Sequence, residues 1–154
     1  MTSDCPANGL MGNAMASMTV EFIDSSVLVY AHNRCHPVVR DLLTCLTEDG
    51  TGAVSIWVLQ EWVNVATRRV PVPLTVNEAA RVIQDLDSAG WRIIWSQVGD
   101  VIEALSMMQR WQLSWWDSLM VIAAQVAEAS VLWTDDLNHG QKFRSVTIQR
   151  PFHD

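Results

Sequence analysis

The 154-residue chain suits one domain better than two, and with 49% apolar residues it can bury a single core without staples. A formal net charge of −7 argues against strong non-specific nucleic-acid binding, which depends on an excess of Lys and Arg. Three cysteines, Cys5, Cys35 and Cys45, make no complete disulfide set and no C-x-x-C pair, and no apolar run reaches membrane-spanning length. The expectation is a cytoplasmic protein with free thiols and no membrane contact.

Residues 1–18 are rich in Ser, Gly, Asn, Ala and Met without period, and are expected to be a disordered extension or a mis-assigned start ahead of Met18. From Thr19 the pattern is α/β. Val20–Ile23 reads as a strand, with Ser25 and Ser26 able to cap a helix from Val27 to about Asn33. Pro37 to Thr47 reads as a helix closed by Asp49-Gly50, Ala53–Ser55 as a strand, and Ile56 to Arg69 as a helix. After the breaks at Pro71 and Pro73 come a helix from Asn77 to Ser88, a strand at Trp91–Trp95, and helices at Val101–Trp111 and Trp116–Ala129. Val131–Thr134 and Val146–Ile148 close the chain as strands. Alternating strands and helices imply a three-layer α/β fold over residues 19–154, with a mainly parallel sheet and helices on both faces.

In such sheets the working site lies beyond the carboxyl ends of the strands. Asp24 follows the first strand and Asp135 and Asp136 follow the Val131–Thr134 strand, so both groups belong on one edge. Glu61 falls within the helical stripe of Val58, Trp62 and Val65, where a carboxylate is costly unless paired or metal-bound, or else it sits at the stripe's edge and meets Arg68 or solvent. Asp117 stands in the first turn of a very apolar helix, a position that the helix dipole alone would favour. Carboxylates that hold cations would also account for part of the negative charge.

Four segments carry a resemblance. Phe22-Ile23-Asp24-Ser25-Ser26-Val27-Leu28-Val29-Tyr30-Ala31 is similar to the opening strand, aspartate and helix of the PIN-domain family. Ser55-Ile56-Trp57-Val58-Leu59-Gln60-Glu61-Trp62, Leu113-Ser114-Trp115-Trp116-Asp117-Ser118-Leu119 and Leu132-Trp133-Thr134-Asp135-Asp136-Leu137 resemble its later acidic segments, and Pro151-Phe152 its tail in one branch, with Arg150 in place of Asn. Within the family the chain looks like the VapC-type toxins of toxin–antitoxin pairs. The resemblance implies a metal-dependent endoribonuclease whose cluster is Asp24, Glu61, Asp117 and Asp136. Asp24, Asp117 and Asp136 would hold Mg2+ or Mn2+, and Glu61 would orient water or a second ion. The Thr-x-Asp frame favours Asp136, but Asp135 is acidic too and the choice stays open. The resemblance also implies an RNA substrate, a cognate antitoxin across the acidic groove, and a homodimer.

Other candidates have plainer readings. His32, Cys35 and His36 sit at helical spacing but lack a fourth zinc ligand. Asn138-His139-Gly140 reads as a surface turn rather than a general acid. Arg68, Arg69, Lys142, Arg144 and Arg150 are either phosphate contacts or solvated charges. The eight tryptophans are expected in the core or at a partner interface rather than against bases. The rival function is a PIN-like protein-binding module without catalysis. A phosphotransferase using Asp24 fits poorly, since Ser26 stands where a second Asp is wanted.

Overall fold

In the computed structural model, which describes residues 18–152, strand β1 (Val20–Ile23) runs through the interior of a six-stranded sheet of order β3-β2-β1-β4-β6-β5. Its neighbours are β2 (Gly52–Ser55) and β4 (Ala129–Trp133), both parallel to it. Beyond them lie β3 (Arg92–Ile94), β6 (Val146–Gln149) and the antiparallel β5 (Lys142–Phe143). The extension expected over residues 1–18 lies, Met18 apart, outside the described residues.

Helices α1 (Ser25–His32) and α2 (Pro37–Asp49) connect β1 to β2, and α3 (Ile56–Arg68) and α4 (Val76–Ser88) connect β2 to β3. Both steps run outward in the same direction along the sheet. The return from β3 to β4 passes through α5 (Val98–Trp111) and α6 (Trp115–Val126). Right-handed crossovers then place α1–α4 on one face and α5 and α6 on the other. The packing agrees, since α1 touches α2 and α3, α3 touches α4, and α5 pairs with α6. The expected three layers are present, with one antiparallel strand added.

The core is what the apolar runs dictate. Phe22, Ile23, Val27, Leu28, Val54, Trp62, Leu132 and Ile148 are fully buried. Gly52 is the one position in β2 where a side chain has no room, because a Cβ would meet the Trp91 ring at 2.7 Å. The Trp91 indole N–H donates to Thr47 Oγ1 over 2.9 Å, which holds that ring over the glycine.

Several boundaries differ from expectation for local reasons. Helix α1 begins at Ser25, not Val27, because Asp24 itself is the N-cap and accepts from the Ser25 N–H. Ser25 and Ser26 therefore sit inside the helix. Helix α6 ends at Val126, and Glu128 turns left-handed at φ 56°, so Ala129 opens β4 instead of closing the helix. Strand β5 was not expected. It pairs with β6 through a tight turn in which Arg144 has φ 55°.

Candidate active site

The order of the strands fixes where the site lies. From β1 the chain moves outward through β2 to β3, then returns to β4 on the other side of β1. Adjacent parallel strands whose connections depart in opposite directions leave a crevice at their carboxyl ends. Asp24 stands at that end of β1, and Thr134, Asp135 and Asp136 follow β4. The Asp24 N–H donates to the Trp133 carbonyl over 3.0 Å, joining the two strand ends directly.

Asp24 is buried, with 4% of its surface exposed. Its carboxylate has four donor groups within reach, one of which, the Ser25 hydroxyl, is shared with Glu61. Oδ1 receives the Ser25 N–H at 2.6 Å and the Ser25 hydroxyl at 3.2 Å, and Oδ2 receives Thr134 Oγ1 at 2.8 Å and Ser26 Oγ at 3.2 Å. Burial nevertheless pushes the Asp24 carboxyl up to about 7. The Thr134 hydroxyl pulls it down, the Asp136 charge raises it, the Ser25 N–H lowers it, and the Glu61 charge raises it again.

The other carboxylates reach the same place from separate elements. A cavity of about 40 Å³ is lined by Asp24, Glu61, Asp117 and Asp136 together with Ser55, Val58 and Trp57. Trp116, Leu119 and Met120 complete its wall. Glu61 does not lie on the buried stripe of α3, which is Val58, Leu59, Trp62 and Ala66. It is exposed at the stripe's rim and accepts from Ser25 Oγ over 2.7 Å. Asp117 is half-buried in the first turn of α6, where its N–H donates to the capping Ser114 Oγ at 3.1 Å and its Oδ2 accepts from that hydroxyl at 2.7 Å.

The two adjacent acids part company. The Asp136 N–H donates to Thr134 Oγ1 at 3.1 Å, and Asp136 lines the cavity. Asp135 instead has its N–H on Ser26 Oγ at 3.4 Å and its carboxylate facing the Tyr30 hydroxyl at 3.4 Å, outside the cavity lining.

All the donors that converge are oxygens, the set that a hard divalent cation prefers. The donor chemistry therefore fits Mg2+ or Mn2+. Among the described residues no three His, Cys, Asp or Glu side chains are arranged, as they stand, to hold a metal ion, so the fit is one of donor chemistry and not of preformed geometry. Ser25 and Thr134 were not singled out as site residues from the sequence. Their signal was adjacency, one directly after Asp24 and the other two before Asp136.

The remaining candidates lie elsewhere. No Lys or Arg among the described residues lines the cavity. Arg144 pairs with Glu103 at 3.5 Å, and Arg150 Nε donates to the Leu137 carbonyl at 3.4 Å. His139 Nδ1 accepts from the Arg150 N–H at 3.2 Å, within the turn around Gly140. His32 packs edge-on against Trp62 and His36 against Phe152, so the two histidines serve different aromatic contacts. Trp62, Trp91 and Trp133 are buried as expected, whereas Trp57, Trp95, Trp111 and Trp116 are exposed. Trp57 and Trp116 meet at the cavity, with ring centroids 5.9 Å apart and planes tilted by 58°.

The fold has close counterparts among solved structures. A toxin-antitoxin complex from Klebsiella pneumoniae superposes with a TM-score of 0.65 at 15% identity, covering 87% of this chain and 99% of that one. The DNA-bound VapBC of Salmonella typhimurium gives 0.63 at 13% identity, covering 87% and 99%. Mycobacterium tuberculosis VapC20, a sarcin-ricin loop cleaving toxin, gives 0.57 at 15% identity, covering 73% and 86%. At such identities the likeness is one of fold. No curated protein matches the sequence. Among the described residues no helix is long and apolar enough to cross a membrane. The sequence model of the PIN domain matches residues 22–144, a span that takes in all four carboxylates of the cavity, and the chain belongs to the PIN-domain family.

Proposed function

We propose that this protein is a metal-dependent endoribonuclease and the toxin of a type II toxin–antitoxin pair. The observation that carries the reading is the convergence of Asp24, Glu61, Asp117 and Asp136 on one cavity at the crevice between β1 and β4. Membership of the PIN-domain family and the fold shared with VapC-type toxins support it.

Asp24, Asp117 and Asp136 are the residues to hold the cation, Mg2+ or Mn2+. A divalent ion in such a site activates water and offsets negative charge on the attacked phosphate. Asp24 must lose its proton to serve, which its position near 7 allows at neutral pH. It must also give up one accepted hydrogen bond, and the hydroxyls of Ser25, Ser26 and Thr134 can each rotate away. Glu61, held by Ser25 Oγ, orients the water for attack. No side-chain nucleophile is needed.

The same reading assigns an antitoxin partner and a homodimer. Support for association comes from α5, where Val98, Ile102 and Leu105 form an exposed apolar stripe beside the exposed Trp95. Light scattering at low concentration tests the dimer, and a monomer would remove that part alone.

The rival, a PIN-like binding module without catalysis, draws on the finding that no three acidic, His or Cys side chains among the described residues are arranged to hold a metal ion. Purified protein incubated with structured RNA separates the two. Cleavage in Mg2+ or Mn2+ that stops in EDTA is expected of the nuclease. No cleavage in either metal favours the module.

A further inference from the structure

Trp57 and Trp116 are unusual among the residues at the cavity. Each is the second residue of its helix, α3 or α6, and each therefore stands at the rim of the crevice. Their neighbours do the core packing. Ile56 and Val58 anchor α3, and Trp115 and Leu119 anchor α6. The two indoles are left 37% and 56% exposed, against each other and beside the carboxylates. So much aromatic surface left in water at the rim of the cavity has a cost.

The charge of the chain makes the pair informative. Polynucleotide binding usually rests on Lys and Arg at the phosphates. Here the net charge is −7 and no cation among the described residues lines the cavity. Stacking of bases on aromatic rings is indifferent to that deficit. It is also open only to bases not already stacked within a duplex.

We infer that Trp57 and Trp116 form a stacking platform for an unpaired nucleobase flanking the phosphate at the acidic cavity. The inference deepens the nuclease reading and rests on it for the identity of the cavity. A protein partner covering the pair is the competing occupant. RNA is favoured because the rings and the four carboxylates share one cavity.

The test is binding of a fluorescein-labelled single-stranded oligoribonucleotide of about 12 nucleotides to the full chain in EDTA, read by anisotropy and tryptophan quenching. The same strand as a duplex, and an abasic strand with the same backbone, are run beside it. The single strand should bind about tenfold or more tighter than either control. Trp57→Ala and Trp116→Ala should each weaken it by about 5- to 150-fold, the equivalent of about 1–3 kcal/mol. Trp116→Phe should restore most of the loss, and the abasic strand should be insensitive to Trp116→Ala. Equal affinity for duplex, or Ala variants that bind as wild type, would overturn the platform. So would Ala variants whose only change, by light scattering, is loss of a dimer. The two readings fail separately. Cleavage in Mg2+ with unchanged affinity in the Ala variants removes the platform and leaves the nuclease. Ring-dependent binding in EDTA without cleavage in any metal does the reverse.

Discussion

Thr134 Oγ1, at the end of β4, donates to Asp24 Oδ2, at the end of β1, over 2.8 Å, and accepts the Asp136 N–H over 3.1 Å. One buried hydroxyl thereby ties the Asp24 carboxylate to the Asp136 backbone. Thr134→Val keeps the shape and removes both bonds. It should destabilise the fold by about 1–3 kcal/mol, as expected when a buried carboxyl loses a donor. The Thr134 bond holds the Asp24 carboxyl down, so its loss should raise that carboxyl further. Urea unfolding measures the first effect. The pH dependence of Mn2+ affinity, shifted upward, measures the second.

Asp24→Asn tests the cost of the buried charge. The Asp24 carboxyl is raised from 3.8 to about 7, so the folded protein holds this proton more tightly than the unfolded chain does. Stability from this group is present below the unfolded value and lost as pH rises through about 7. In EDTA the variant should therefore melt above wild type, by a margin that is small near pH 5 and grows toward pH 8. Wild type should recover stability with Mn2+, by about 2.7 kcal/mol when free metal is a hundredfold above its dissociation constant. Melting curves that run parallel across this pH range would contradict the burial of a titrating Asp24.

Asp135 and Asp136 separate the cavity from its surroundings. Asp136 lines it, whereas Asp135 faces the Tyr30 hydroxyl. Asp136→Asn should blunt the gain in melting temperature on adding Mn2+, and Asp135→Asn should leave that gain close to wild type. Thermal melting of the two variants side by side, with EDTA and with Mn2+, reads the difference.

The positions of strands and helices were legible because the apolar periods are strong and Gly and Pro punctuate them. The crevice was legible too, since Asp24 and Asp136 follow strands that any parallel arrangement aims at one edge. What periodicity does not carry was missed. Two-residue β5 has no period to read, and the apolar run through Ala127 and Ala129 conceals the left-handed Glu128 that ends α6. Glu61 shares the helical spacing of Val58 and Val65 yet stands exposed, because one residue of rotation separates a stripe from its rim. Buried Glu21, whose carboxylate accepts from the Trp133 indole and is raised chiefly by burial, has no signature in a four-residue strand.

Gly52→Ala tests the packing that sets the register of β2 beside the site. The added methyl would lie 2.7 Å from the Trp91 ring. Moving the ring strains its bond to Thr47. A loss of about 1–3 kcal/mol is expected, typical of overpacking in a filled core. Urea denaturation with an unchanged slope would show that stability alone has moved.

RNA cleavage by the cavity carboxylates with a divalent cation has a direct readout. Single-turnover cleavage of a structured RNA in Mn2+ by wild type, Asp24→Asn and Asp117→Asn measures it most directly, with folded state checked by melting. Each variant should cleave about a hundredfold or more slowly, the scale of losing a group that acts in the transition state, and wild type should not cleave in EDTA. Near-full activity in either variant, or cleavage that persists in EDTA, would contradict it.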